Sequence, residues 1–206
     1  MRKKLIFLTL LLFSLSFYSQ SKEEIEKHQN KWITEAKEEL IKNDLLRAFM
    51  SYGFAKDIDS LTQNGIFASK KYDSIKIILR KKLIQKIKGT WKWKNTGSNW
   101  GISKTNKESL IEKILIINES YLSFYEVNKK TKKTNFIKRE KLTFNNIPGM
   151  LPSYHELVYS NKQIWSYNLK NEGIILHLTN TGEIIDKNSR NEIVCGNTEL
   201  IYERIK

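Results

Sequence analysis

The chain changes its hydrophobic period once, at Gly89, and that change commits it to helices on one side of the glycine and a sheet on the other. Between Lys22 and Lys88 apolar residues recur every three or four positions: Ile25, Trp32, Ala36 and Leu40, then Leu45, Phe49 and Tyr52. Charged residues fill the gaps, the pattern of amphipathic helices. Gly53 and Asn64-Gly65 read as breaks. A last helix is expected over residues 74–88, capped by Asp73 or Ser69, with Ile75, Ile78, Leu79, Leu83 and Ile87 as its apolar stripe. Gly89 then stands where a left-handed glycine is expected to end that helix.

From Trp91 the period is two. Tyr121-Leu122-Ser123-Phe124-Tyr125-Glu126-Val127 and Gln163-Ile164-Trp165-Ser166-Tyr167 are rich in aromatic and β-branched residues. Turn signals at 128–133, Pro148-Gly149, 171–173 and Thr181-Gly182 separate such runs. Strands are expected at 91–94, 110–118, 121–127, 135–144, 155–159, 163–169, 174–178 and 200–205, about eight in all. With no helix between them, they form an antiparallel sheet.

Residues 88–101, KGTWKWKNTGSNWG, hold three of the five tryptophans. Gly89-Thr90-Trp91 opens the first strand, and this stretch resembles the Gly-x-Trp signature that begins strand one of lipocalins and lipocalin-like domains. The resemblance implies a closed antiparallel barrel over residues 89–206, plugged at one end by Trp91, with a cationic side chain of the last strand across the indole. Arg204 fits that role, because it shares a strand face with Leu200 and Tyr202 while Glu199 and Glu203 face away. The expected fold class is therefore α+β, N-terminal helices followed by a lipocalin-like barrel of about eight strands. An open β-sandwich is the alternative. Trp93 shares the face of Trp91, and Trp100 falls in a loop at the expected mouth.

The N-terminus reads as an export leader over residues 1–21. Arg2, Lys3 and Lys4 precede an uncharged run from Leu5 to Phe17, and small residues around Ser19-Gln20-Ser21 offer a cleavage site. That run is too short to span a bilayer. Residues 22–88 would be a helical accessory segment. Cleavage lowers the formal charge of +14 by three, to +11. Cys195 is the sole cysteine, so no disulfide forms within the chain, which suits a bacterial periplasm or cell surface.

Little in the chain points to catalysis. His28, His155 and His177 are isolated from one another and from carboxylates at ligand spacing, so neither a metal site nor a cofactor is expected. Cys195 reads as a small buried side chain. No phosphate loop, dinucleotide fingerprint or nucleophile elbow is present. The expectation is a non-enzymatic, monomeric binding protein with a small apolar or amphipathic ligand inside the barrel, and Tyr125, Trp165 and Tyr167 lining the site. The competing expectation is a solidly packed barrel that docks on anionic lipid or envelope polysaccharide. Its basic surface would draw on Lys76, Arg80, Lys81, Lys82, Lys86, Lys88, Lys92, Lys94, Lys104 and Lys107, a stretch free of acidic residues between Asp73 and Glu108, and on Lys129, Lys130, Lys132 and Lys133. A solvated face is the plain alternative for such runs. Nucleic acid is not expected as a partner of an exported chain.

Overall fold

A computed structural model describes residues 2–98, 100–105 and 109–205, with side chains from Ser21 onward except at 103 and 104. The side chains of residues 1–20 of the expected leader and of Lys104, together with Asn99, Lys107 and Glu108, lie outside the described residues. The chain divides into two compact units, Met1–Leu79 and Arg80–Lys206.

The first unit is helical. Helix α1 (Arg2–Ile41) ends in a turn where Asn43 takes φ 59°. Asp44 accepts the Arg47 N–H at 3.0 Å and so caps helix α2 (Leu45–Ile58). Gly53, expected as a break, is buried inside α2 beside Ala48, Ser51 and Ala55. Packing of this small-residue face outweighs glycine's poor helix propensity. The break falls instead after α2, and buried Gln29 holds it. Its amide donates to the carbonyls of Ala55 and Asp59, at 3.1 and 2.7 Å, and accepts the Thr62 hydroxyl at 2.7 Å. Thr62 in turn accepts the Gly65 N–H at 2.9 Å and caps helix α3 (Gln63–Ile87). Asn64-Gly65 is thus the first turn of α3. A Cβ at Gly65 would lie 1.9 Å from the Asp59 carbonyl oxygen, so close approach demands the glycine. Asp73 and Ser69 are interior to α3 and cap nothing. Ile75, Leu79, Leu83 and Ile87 form one buried row at four-residue spacing, and Ile78 falls beside it, 44 % exposed.

The final turns of α3 belong to the second unit, because Leu83 and Ile87 lie in its sheet core. Ten strands follow among the described residues: β1 (Gly89–Ser98), β2 (Gly101–Thr105), β3 (Ile111–Ile117), β4 (Tyr121–Asn128), β5 (Thr134–Lys141), β6 (Glu156–Val158), β7 (Gln163–Lys170), β8 (Ile175–Ile184), β9 (Arg190–Glu192) and β10 (Thr198–Arg204). All pairings are antiparallel, in the order β5-β4-β3-β1-β10-β8-β7-β6, with β2 on β1 and β9 on β8. The fold class is α+β, with helices preceding an antiparallel sheet. The closed eight-stranded barrel is not what forms, since terminal strands β5 and β6 do not share a ladder. They approach only past the end of β5, through an isolated Phe144–Leu157 bridge. Two backbone bonds flank it, Val158 N–H to Thr143 at 2.8 Å and Asn145 N–H to Glu156 at 2.9 Å. The sheet curls without closing.

One end of the sheet is locked to α3. A helix leaves its last carbonyls without partners, and here the opening motif supplies them. The Trp91 indole N–H donates to the Ile87 carbonyl at 2.7 Å. Arg204 donates to Lys88 O at 2.9 Å, to Lys86 O, and through Nε to Gly173 O at 3.1 Å. Its guanidinium also lies 4.2 Å from the centre of the fully buried Trp91 ring. A cation at a helix C-terminus is favoured by the helix dipole and, over an indole, by the ring quadrupole. Gly89 follows the end of α3 at positive φ, 139°, as expected of a glycine there, and opens β1; a Cβ there would meet Arg204 Nη1 at 2.8 Å.

The opposite margin is pinned by a buried carboxylate. Glu156 accepts Arg190 at 2.6 and 3.3 Å, Asn145 at 2.9 Å and Thr181 at 2.9 Å. Burial pushes its pKa up, but the bonds from Arg190, Asn145 and Thr181 outweigh that and hold it below the usual carboxylate range.

Trp91→Ala should lower the unfolding free energy by about 3–5 kcal/mol, the usual loss for a buried aromatic cut to alanine. Gly89→Ala should cost roughly 1–3 kcal/mol, through backbone strain and displacement of Arg204. Urea unfolding of both variants tests this; losses below ~0.5 kcal/mol, the scale of a neutral surface change, contradict the lock.

Candidate functional site

Away from that locked end, β1, β3, β4, β5, β7 and β10 curve around a cavity of about 270 Å³. Strand alternation places its walls. Trp93 stands two residues after Trp91 and opposite Tyr202 in the β1–β10 ladder. A register shift between Trp93 and Asn95 then re-aims β1 so that Thr96 also reaches the space. A second shift, between Phe124 and Tyr125, leaves Ile137 of β5 without a partner, so that Ile137 and Lys138 in succession line the same cavity. Tyr159, from the turn after β6, stacks on Trp165 at 5.9 Å between ring centres and meets the Phe124 edge at 6.1 Å. Tyr125 packs edgewise on Phe136 at 5.6 Å.

Of the three expected lining residues, Tyr125 and Trp165 face the cavity and Tyr167 does not. Tyr167 sits one residue pair further toward the Trp91 end, 1 % exposed, and its hydroxyl lies 2.5 Å from that of Tyr159. It supports the wall from behind. The Trp165 indole N–H donates to Gln163 Oε1 at 3.2 Å, which fixes the ring against the cavity.

Two lysines border the space. Lys138 Nζ lies 5.1 Å from the ring centres of both Phe124 and Tyr159 and 2.9 Å from Glu140 Oε1. Burial pushes the Glu140 carboxyl up in pKa, but bonds from Lys138 and Ser160 prevail and keep it below the usual range. Lys113 Nζ lies 5.4 Å from the Trp93 ring centre. It stands across the ladder from Glu126. No carboxylate among the described residues comes within 4.0 Å of it.

The remaining candidates do not gather here. His28 is exposed, His177 Nε2 lies 3.1 Å from Glu199, and His155 is held down in pKa by burial. Among the described residues no group of three His, Cys, Asp or Glu side chains could hold a metal ion. Cys195, expected inside, is exposed in the loop before β10, where Ile193, Val194 and Gly196 are exposed with it. Trp100 is 78 % exposed in the β1–β2 turn, beside Gly196 and outside the cavity wall. Arg80, expected on the solvent side of its helix, lies 4.6 Å from the Phe144 ring centre and donates to Asn145 O and Asn146.

Sequence reasoning missed Lys113, Phe124, Tyr159 and Tyr202 as wall residues. Tyr202 was within reach, since it shares the phase of Arg204; Lys113 reads as an ordinary surface lysine. No family model, curated protein or solved structure matches the chain. Among the described residues no helix is long and apolar enough to cross a membrane.

Burial raises the pKa of the Tyr159, Tyr167 and Tyr202 phenols well above the usual tyrosine value. Raised folded-state values mean stability that is complete below the unfolded pKa near 10 and lost as pH climbs toward the folded values. In ultraviolet titration of the folded protein, these three should stay protonated at about pH 11 and ionise only on unfolding. Ionisation of Tyr159, Tyr167 and Tyr202 together with the other tyrosines before unfolding contradicts the burial.

Proposed function

We propose that this is an exported, lipocalin-like binding protein that holds a small apolar or amphipathic ligand inside its curled sheet. The observation that carries this reading is the cavity of about 270 Å³ walled by six aromatic rings: Trp93, Phe124, Tyr125, Tyr159, Trp165 and Tyr202. Such a concave, aromatic wall with a few polar groups is the general form of a small-molecule site. Its polar members, Thr96, Gln163 and the two lysines, can orient a ligand without performing chemistry on it. Export rests on the leader-like residues 1–21. The Gly89, Trp91 and Arg204 lock supports the lipocalin-like reading, since it matches the arrangement that the resemblance implies.

The alternative, docking on an anionic envelope surface, is less well supported. Arg80, Lys88, Lys92 and Lys94 are already engaged by Asn145 and Asn146, Glu119, Glu112 and Glu203 within the second unit. Exposed ion pairs add little stability, but they do reduce the free positive charge available to an outside partner.

The test is mass spectrometry of small molecules extracted from protein purified under native conditions. A compound retained at near-equimolar ratio by the wild type, and lost from Leu200→Trp, which fills the space, is expected. Wild-type protein that carries no compound and co-sediments with anionic vesicles at low salt supports docking instead.

A further inference from the structure

The cavity's charges say which amphipathic ligands it takes. We propose that it selects small organic anions: an apolar body of about two fused rings, or an equivalent short chain, buried among the aromatics, with its carboxylate or similar head at Lys113. This inference rests on the binding reading above.

Size sets the body. An apolar cavity of roughly 150 Å³ accepts one benzene, so about 270 Å³ accepts a little under twice that. Charge sets the head. Aromatic walls would ordinarily attract a ligand cation, but here the chain's own ammonium groups hold that position. Lys138 Nζ lies near the Phe124 and Tyr159 rings and Lys113 Nζ near Trp93, at 5.1, 5.1 and 5.4 Å. A second cation in the same space would meet like charge. The two lysines differ, however. Lys138 is matched by Glu140 at 2.9 Å, whereas Lys113 has no carboxylate within 4.0 Å among the described residues.

Glu126 is the one acidic residue in the cavity wall, and it opposes an anion. Just beyond it the β4–β5 turn carries Lys129, Lys130, Lys132 and Lys133, which outnumber it at that end of the sheet. Fields of this kind reach about 8 Å at physiological ionic strength. Lys113 is thus a donor with no carboxylate within 4.0 Å among the described residues, beside an aromatic space, the arrangement that a carboxylate with an aromatic body would complete.

The experiment is isothermal titration calorimetry of the full chain, stripped of any co-purified compound, with three probes of one shape: 2-naphthoate, 2-naphthylmethanol and 2-naphthylmethylammonium. Wild type, Lys113→Met and Lys113→Arg are compared, with unfolding curves to show that each is folded. Naphthoate should bind about tenfold or more tightly than the alcohol, as a hydrogen bond to a charged group provides, and the ammonium should bind weakest. Lys113→Met should bring acid and alcohol within about threefold of each other, and Lys113→Arg should restore the preference. Equal binding of acid and alcohol by the wild type overturns anion selection and leaves the binding reading standing. An undiminished preference in folded Lys113→Met overturns the role of Lys113. Binding of none of the three overturns both this inference and the binding reading.

Discussion

The carbonyls of Lys86, Ile87 and Lys88 at the end of α3 are the groups on which the second unit depends. The buried Ile87 carbonyl would cost free energy without a donor, and the sheet reaches it with the Trp91 indole and its two neighbours with the Arg204 guanidinium. The same contact therefore ends a helix, starts β1, and ties the last strand to the first. Gly89 is part of it, because any side chain there would occupy the place of Arg204 Nη1. With Leu83 and Ile87 in the core beneath, that end of the sheet is filled.

Filling one end makes space at the other. Register shifts in β1, in the β4–β5 ladder and in the β7–β8 ladder bend the strands and re-aim side chains. The margins then meet over a single bridge at Phe144–Leu157, not over a ladder. Glu156 holds that seam with four hydrogen bonds from three partners, Asn145, Thr181 and Arg190, on three segments of chain. Breaking such a buried pair from one side is costly. The cavity thus lies between two anchored regions, which keeps its aromatic wall from collapsing inward.

How much of this a single sequence shows depends on whether the deciding interaction is local. Gly89, Trp91 and Arg204 were legible: a glycine at a change of period, an aromatic at the next core position, and a cation in phase on the last strand. The helices were legible as helices but not at their ends. Gln29 and Thr62 settle the second break through contacts thirty or more residues apart, which no periodicity reports. The cavity wall was legible in part. Tyr125 and Trp165 are large and sit mid-strand, yet so is Tyr167, and only depth along the curled sheet separates them. That depth is set by the register shifts, and their positions leave no mark in residue type. Lys113 carries no mark either, since its place beside the Trp93 ring in the cavity wall depends on how the sheet curls.

Whether the aromatic wall surrounds real, accessible space is the claim on which the rest stands, and xenon tests it directly, because dry apolar cavities take up that gas. A crystal pressurised with xenon should show it bound among Trp93, Phe124, Tyr159, Trp165 and Tyr202, with the wall unmoved. A structure without xenon there, and with Leu200 and Ile137 packed across the same space, contradicts the account.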